Sequence, residues 1–552
     1  MSVSGFKLLA LPRELIQVVV DELYETHKIS LFSVLRVNKL LYEVVLPYTV
    51  RQCTLHFSQQ KFEDTNARVA QWLDDGGSVC DHTQHLIIYS PKVEDNPASK
   101  FYAEMAWVDW INVTTLISRL VRLQALTFDC PTPIPHDLDE LLRRSKPDIR
   151  LYVRDWTRRT QDRDASNPEE VALLESPMLR TLHAFHPASD SGDMRWAAFL
   201  RLVQSSPNLE AVRYEPLNME SCKSVRPAEH RKAQYEAFFS QRYPKRDIKV
   251  IYVDGQELFA DVLDSVNLDC IEELGLLRIG ETWANGIGSS LLALKQLEVL
   301  FEPLQSEDPT VLARLKDKVS EFFAEIPALE SLTIHGPRDA MPELSELLSR
   351  HGPTLRRLYI HELEPSTNTP WRVPTREEIA EIRSACPCLT DLGIDLDLDM
   401  GQQHIDDICK LLARPPSLRN VTINLDVAVK LLRLLGECRR FQDIAGMKTI
   451  GEQVFRRRSF MASRACDIWR VVAAKGTRLA QLSVRKGEPD HPIWLGQNER
   501  RPLGMMRHEG YRVTPCARDD QLDEVEVEQI PWAWMARQTL RESVGRDLMT
   551  PQ

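Results

Sequence analysis

Long apolar runs, paired cysteines and phosphate-gripping loops are all missing from this 552-residue chain, and each absence removes a class of protein. No stretch approaches 18 consecutive apolar residues, which leaves out a membrane-spanning helix. The N-terminal MSVSGFKLLALPREL carries one Lys and an apolar stretch too short for a signal peptide. Eleven cysteines are few and odd in number, with no Cys-x-x-Cys among them. That usage suits reduced thiols in cytosol or nucleus rather than a disulfide framework. Gly286-Ile287-Gly288 is not followed by Gly-Lys-Ser/Thr, so it is no phosphate loop, and no Gly-x-Ser-x-Gly elbow occurs. A net charge of −11, from 69 basic and 80 acidic residues, argues against nucleic acid as the main partner.

What is present is ordinary globular material, 43% hydrophobic and 27% charged, in a chain longer than one core supports. Several domains or a repeat array are therefore expected. A phrase of the form Pro-x-Leu-x-x-Leu-x-apolar recurs at Pro177–Leu182, Pro207–Val212, Pro327–Ile334, Pro353–Ile360, Pro387–Ile394 and Pro416–Ile423. Weaker copies run Leu123–Phe128, Ile271–Ile279, Leu297–Phe301 and Leu479–Val484. First leucines are spaced 30 residues apart (Leu179 to Leu209), then 32, 26, 34 and 29 from Leu297 through Leu329, Leu355 and Leu389 to Leu418. This period and core mark leucine-rich repeats of the irregular kind, because the Asn or Cys ladder position is missing.

Between the copies lie segments of helical period: Val311–Glu325, Glu343–Arg350, Arg376–Ala385, Ile405–Ala413 and Val454–Val472. Alternation at this spacing predicts parallel strands on one side and helices on the other. A strand is also expected at His85–Tyr89, and an aromatic helix around Phe101–Trp110. Arg154–Glu170 reads as a charged loop, Asn218–Arg246 as a basic insertion and Pro365–Pro374 as a Pro/Thr loop. After Val484 the pattern dissolves, and the tail, with its acidic run Asp519–Glu528, reads as an extended and partly disordered cap.

The N-terminus has a different grammar. Pro12 suits the first turn of a helix, and Leu15, Val19 and Leu23 share one face of it. A second short helix fits Leu31–Val37, with Ser30 as its cap, and a third fits Lys39–Leu46, stopping at Pro47. Three such helices make a core too small to stand alone, so a partner is expected to complete it. Leu11, Pro12, Glu14, Leu15, Leu31, Leu35, Val37, Leu41, Tyr42, Leu46, Pro47 and Tyr48 match the pattern of an F-box in its fungal form. The segment Leu11–Tyr48 resembles that family, and Val50–Leu55 looks like the strand leading into the body. One departure is that the aromatic usually placed late in the third helix is supplied only by Tyr42, or not at all.

The resemblance implies that Leu11, Pro12, Leu15, Ile16, Leu31, Leu35 and Val37 bind a Skp-type adaptor, and through it a cullin ubiquitin ligase. The chain would then be the substrate-recognition subunit, presenting an unknown client protein on its repeats. A repeat scaffold with no ligase role is the alternative. Arg357, Tyr359, Thr390 and Thr422 alternate outward on the expected strands as client contacts, provided the register holds.

Candidate chemistry is thin. Cys386-Pro387-Cys388 with His404 and Cys409, the pairs His82/His85 and His183/His186, and His361-Glu362 all lack metal-site spacing. Arg439, Arg440, Lys448 and Arg456–Arg458 form a basic stretch that reads as a solvated helix face. No catalytic, metal or cofactor residue is expected, nor a nucleic-acid or membrane partner.

The expected architecture is α/β: a small N-terminal three-helix F-box (residues 1–57), a linking segment (58–120), an irregular leucine-rich-repeat solenoid (121–485) and a C-terminal extension (486–552).

Overall fold

The computed structural model describes residues 11–26, 30–57, 62–75, 77–90, 108, 110–130, 132–156, 173–174, 176–186, 192–216, 243–254, 256–279, 286–301, 309–336, 338, 341–362, 373–397, 407–408, 411–412, 417–426, 481–486, 510–515 and 525–530. The chain divides into two compact units. One comprises Met1–Val253 with Asp261–Asn267, and the other Asp254–Ala260 with Leu268–Gln552. Both are built of parallel strands laid side by side in sequence order with helices between them, which makes the fold an α/β repeat solenoid of leucine-rich-repeat type.

The first unit opens with three helices, α1 (Arg13–Thr26), α2 (Ser30–Val34) and α3 (Lys39–Thr49). The Pro12 carbonyl starts α1 by accepting the amides of Leu15 and Ile16. Asn38 caps α3, its side chain accepting the Leu41 amide at 2.8 Å. Their shared core is Ile16, Val20, Leu31, Leu41, Val44, Val45 and Tyr48. The buried face of α1 is thus one residue removed from Leu15 and Val19, because Val18, Val19 and Val20 are all apolar and the sequence leaves the helix free to rotate. Ser30 lies within α2 rather than capping it.

Helix α3 also passes through Pro47 rather than stopping there. A proline in the last turn forfeits one backbone bond, and burial of Tyr48 beyond it compensates. The Tyr48 hydroxyl donates to Asp21 Oδ1 at 2.7 Å and accepts from Gln17, tying α3 to α1. Burial, reinforced by Asp21, pushes its pKa up to about 12. Tyr48, near the end of α3, is buried, whereas Tyr42 is exposed.

Strands β1 (Gln52–His56), β2 (His85–Tyr89), β3 (Ala125–Asp129), β4 (Arg150–Trp156), β5 (Leu179–His186), β6 (Ala211–Pro216) and β7 (Val250–Asp254) follow, each parallel to the last. The ladder thus starts at Gln52, and the stretch 58–120 holds a repeat of its own rather than a link. Strands β4 and β7 lack the leucine phrase, which hid them, and β4 takes in Arg154–Trp156 from the expected charged loop. The aromatic segment before Trp110 lies largely outside the described residues; the helix seen there is Trp110–Arg119. Further along, Trp196 and Phe199 from helix Gly192–Ser205 pack on Tyr214, with ring centroids 4.8 and 4.9 Å from it. The indole of Trp196 donates to Asp261 at 2.9 Å.

The second unit contains β8 (Glu273–Ile279), β9 (Gln296–Phe301), β10 (Ser331–His335), β11 (Arg357–His361), β12 (Asp391–Asp397), β13 (Asn420–Asp426) and β14 (Gln481–Lys486), again parallel. Two antiparallel strands, β15 (Gly510–Pro515) and β16 (Val525–Ile530), continue the sheet from β14. The tail expected to be an extended cap therefore adds two strands, and the end of its acidic run lies in β16. Helices Pro309–Glu325, Leu344–His351 and Arg376–Ala385 fall close to their expected bounds. Expected helix Ile405–Ala413 is described only in part, and Val454–Val472, the basic stretch Arg439–Arg458, most of the Pro/Thr loop and most of the basic insertion lie outside the described residues.

Register decides the core. Leu332, Leu358, Leu392, Val421 and Leu482 line up strand to strand, all buried. Each repeat is also stitched to its predecessor where it enters the sheet. The carbonyl of Glu330 accepts the amides of Arg356 and Arg357, that of Arg356 those of Thr390 and Asp391, and that of Thr390 those of Arg419 and Asn420. Leu355 is wholly buried beside this stitch. Leu355→Ala should cost about 2–5 kcal/mol, read as a lower denaturant midpoint.

His351, at the end of helix Leu344–His351, is also fully buried, with its ring edge-on to Phe323 at 6.0 Å. Burial, with a contribution from the Arg350 charge, pulls its pKa down from 6.5 to about 4. The folded state thus holds the ring neutral where the unfolded chain would protonate it. Stability from this group is present above pH 6.5 and is lost as pH falls toward about 4. The loss approaches ~3 kcal/mol. Urea midpoints measured across that window should fall more steeply for wild type than for His351→Leu.

Candidate functional site: two interaction surfaces

The helical module presents apolar side chains to solvent. Among the described residues, nine large hydrophobics are exposed, and six of them are Leu15, Val18, Phe32, Val37, Leu40 and Tyr42. Such concentration on one small module is what an interaction surface looks like, since scattered exposed residues need no explanation. Of the expected adaptor-binding set, Pro12, Leu15 and Val37 are exposed, the last two by 50% and 63%. Leu11 and Leu35 are half-buried against the helical core. Ile16 and Leu31 have no exposed surface at all and hold α1 and α2 onto α3. Their role here is packing. Val18, Phe32 and Leu40 are the outward residues that periodicity missed.

A second surface is the outward face of the strands in the second unit. Alternation turns Leu332 and Ile334 inward and leaves Ser331, Thr333 and His335 half-exposed. On β11 the same rule places Arg357, Tyr359 and His361 outward, and on β13 Asn420, Thr422 and Asn424. Arg357, Tyr359 and Thr422 thus stand where they were expected. Thr390 does not: it precedes β12, its carbonyl carries the stitch to the next repeat, and its hydroxyl donates to the Arg356 carbonyl at 3.0 Å.

The outward face holds a polar network at its centre. His361 Nδ1 lies 2.7 Å from Asp395 Oδ1, whose partner oxygen accepts the Glu362 amide at 2.6 Å. Asn424 Nδ2 donates to Asp395 Oδ1 at 2.9 Å and to the Tyr359 hydroxyl at 2.9 Å. The Tyr359 ring crosses β12 to reach Asn424, and it can do so because its neighbour in register is Gly393. A Cβ at that position would overlap the ring. His335 adds its ring at 5.4 Å from Tyr359, and Glu298 lies 3.8 Å from His335. His361, Asp395 and Asn424 are all nearly inaccessible, so the network braces the face from beneath. Superposing the repeats by their leucines would have brought these residues together, but no single repeat contains the signal.

Other sequence coincidences stay apart. Cys386 is buried, with its thiol pushed up to about 12 by burial, while Cys388 is exposed; His404 and Cys409 lie outside the described residues. His82 ends a short helix, and His85 on β2 meets the Thr127 hydroxyl at 2.8 Å. Gly288 is packed against Glu325. No group of three or more His, Cys, Asp or Glu that could hold a metal ion occurs among the described residues.

No protein-family model matches the chain, and no curated protein sequence matches it. Among solved structures, an internalin from Listeria monocytogenes aligns at 11% identity and a TM-score of 0.24, covering 63% of this chain and 75% of that one. Similarity that weak says nothing about what this chain binds.

Gly393→Ala should destabilise the second unit by about 1–3 kcal/mol, by driving the Tyr359 ring off Asn424. In a double-mutant cycle with Tyr359→Ala the penalty should largely vanish, as measured by thermal unfolding.

Proposed function

We propose that the chain is a non-catalytic substrate-recognition subunit of a Skp–cullin–F-box ubiquitin ligase. Its N-terminal helices dock on a Skp-type adaptor, and its repeat strands present a client protein. The observation that carries this reading is that six of the nine exposed large hydrophobics among the described residues lie on the short α1–α3 module, and only Ile111, Val121 and Leu292 lie elsewhere. It agrees with the resemblance of Leu11–Tyr48 to an F-box and with the smallness of the helical core. Catalysis would belong to the recruited conjugating enzyme, with this chain contributing proximity and orientation. A protein-interaction scaffold without a ligase is the second reading, favoured by the repeat architecture alone.

Co-expression with a Skp-type adaptor separates the two. Wild type should co-purify in a stoichiometric complex, and Leu15→Asp with Val37→Asp should abolish it without lowering the melting temperature, because both side chains are already exposed. Failure of the adaptor to co-purify with well-folded wild type sinks the ligase reading and leaves the scaffold.

A further inference from the structure

We propose that the outward face of β1–β4, in the first unit, binds an extended acidic polypeptide segment. This deepens the reading of the strands as a client-presenting surface and rests on it. Alternation sends His56, Tyr89, His85, Tyr152, Arg150 and Arg154 to that face. Its twelve outward positions include neither Lys nor Glu. It has two arginines against one acid, Asp129. The sign is reversed relative to a chain whose net charge is −11.

The rings are also held in place before any partner arrives. His56 and Tyr89 stack with centroids 5.1 Å apart and planes 9° from parallel. His85 is fixed by the Thr127 hydroxyl at 2.8 Å and leans on Tyr152 at 6.2 Å. All four are partly accessible, as is Arg154, and Arg150 is exposed. Preset aromatic platforms lose little entropy on binding, and Tyr with Arg is the composition of interface hot spots. The arginines select carboxylates, and the rings select apolar or aromatic side chains alternating with them. RNA would also stack on such rings, but nucleic-acid affinity rests largely on phosphate neutralisation, which two arginines supply only weakly.

The test uses the full chain and fluorescence anisotropy with three labelled probes: a Glu/Tyr copolymer, a Lys/Tyr copolymer and single-stranded poly(U). The Glu/Tyr probe should bind, and Arg150→Glu with Arg154→Glu should weaken it by about tenfold or more. The same variant, with an unchanged thermal unfolding midpoint, should gain affinity for the Lys/Tyr probe. Tyr89→Ala should weaken the Glu/Tyr probe, and Arg383→Glu, at an exposed position on helix Arg376–Ala385 of the second unit, should leave it unchanged. The proposal is overturned if wild type ignores the Glu/Tyr probe, prefers poly(U), or binds the acidic probe equally well after the charge reversal. Adaptor co-purification from the same preparations keeps the two ideas separate. Lost adaptor binding with retained Glu/Tyr binding sinks only the ligase, and the converse sinks only this inference.

Discussion

Everything in the two repeat units depends on one coincidence of spacing: a buried aliphatic in each strand lies beside its counterpart in the next. Leu332, Leu358, Leu392, Val421 and Leu482 occupy one such line, and Leu86, Leu126 and Leu151 another. Because side chains alternate with a period of two, a slip of one residue would turn every leucine to water. At Arg51, Gln84, Glu210, Glu272, Lys295, Glu330, Arg356 and Thr390 the carbonyl before the strand accepts two amides from the next repeat and so fixes that register from the backbone side. Hydrophobic burial and hydrogen bonding thus demand the same alignment. Helices vary in length without disturbing it, which is why intervals from 26 to 34 residues coexist in one ladder.

With the inward positions committed, the outward ones are free to differ between strands, and they do. In the second unit Gly393 opens a gap that Tyr359 crosses to join a buried His361–Asp395–Asn424 network. In the first, aromatic rings and arginines gather on β1–β4. The same backbone arrangement therefore carries two surfaces of different chemistry. The α1–α3 module obeys another rule: its small core is completed by Tyr48, and what that core cannot cover remains exposed at Leu15, Val18, Phe32 and Val37.

Wherever a leucine phrase marked it, the repeat pattern could be read directly, from β5 and β6 to β9 through β14. Strands β4 and β7 escaped because Arg150–Trp156 and Val250–Asp254 bury aliphatics without that phrase, and β15 and β16 because their segments are rich in charge. On the helical module, composition revealed that helices were present but not their rotation. Three consecutive valines satisfy two faces equally, and only packing against Leu41 and Val44 selects Ile16 and Val20.

The sequence by itself determined the class of architecture, since leucines recurring near every 30 residues can be buried together only by stacking strand–helix units. It determined as well that the N-terminal segment is helical. Only the tertiary structure decided which residues each surface presents. Helix rotation and strand neighbours are settled by contacts between residues far apart in the chain, such as Tyr359 with Asn424 or His56 with Tyr89. Those contacts leave no trace in any single stretch of sequence, because each partner taken alone is an ordinary polar or aromatic residue on an ordinary strand.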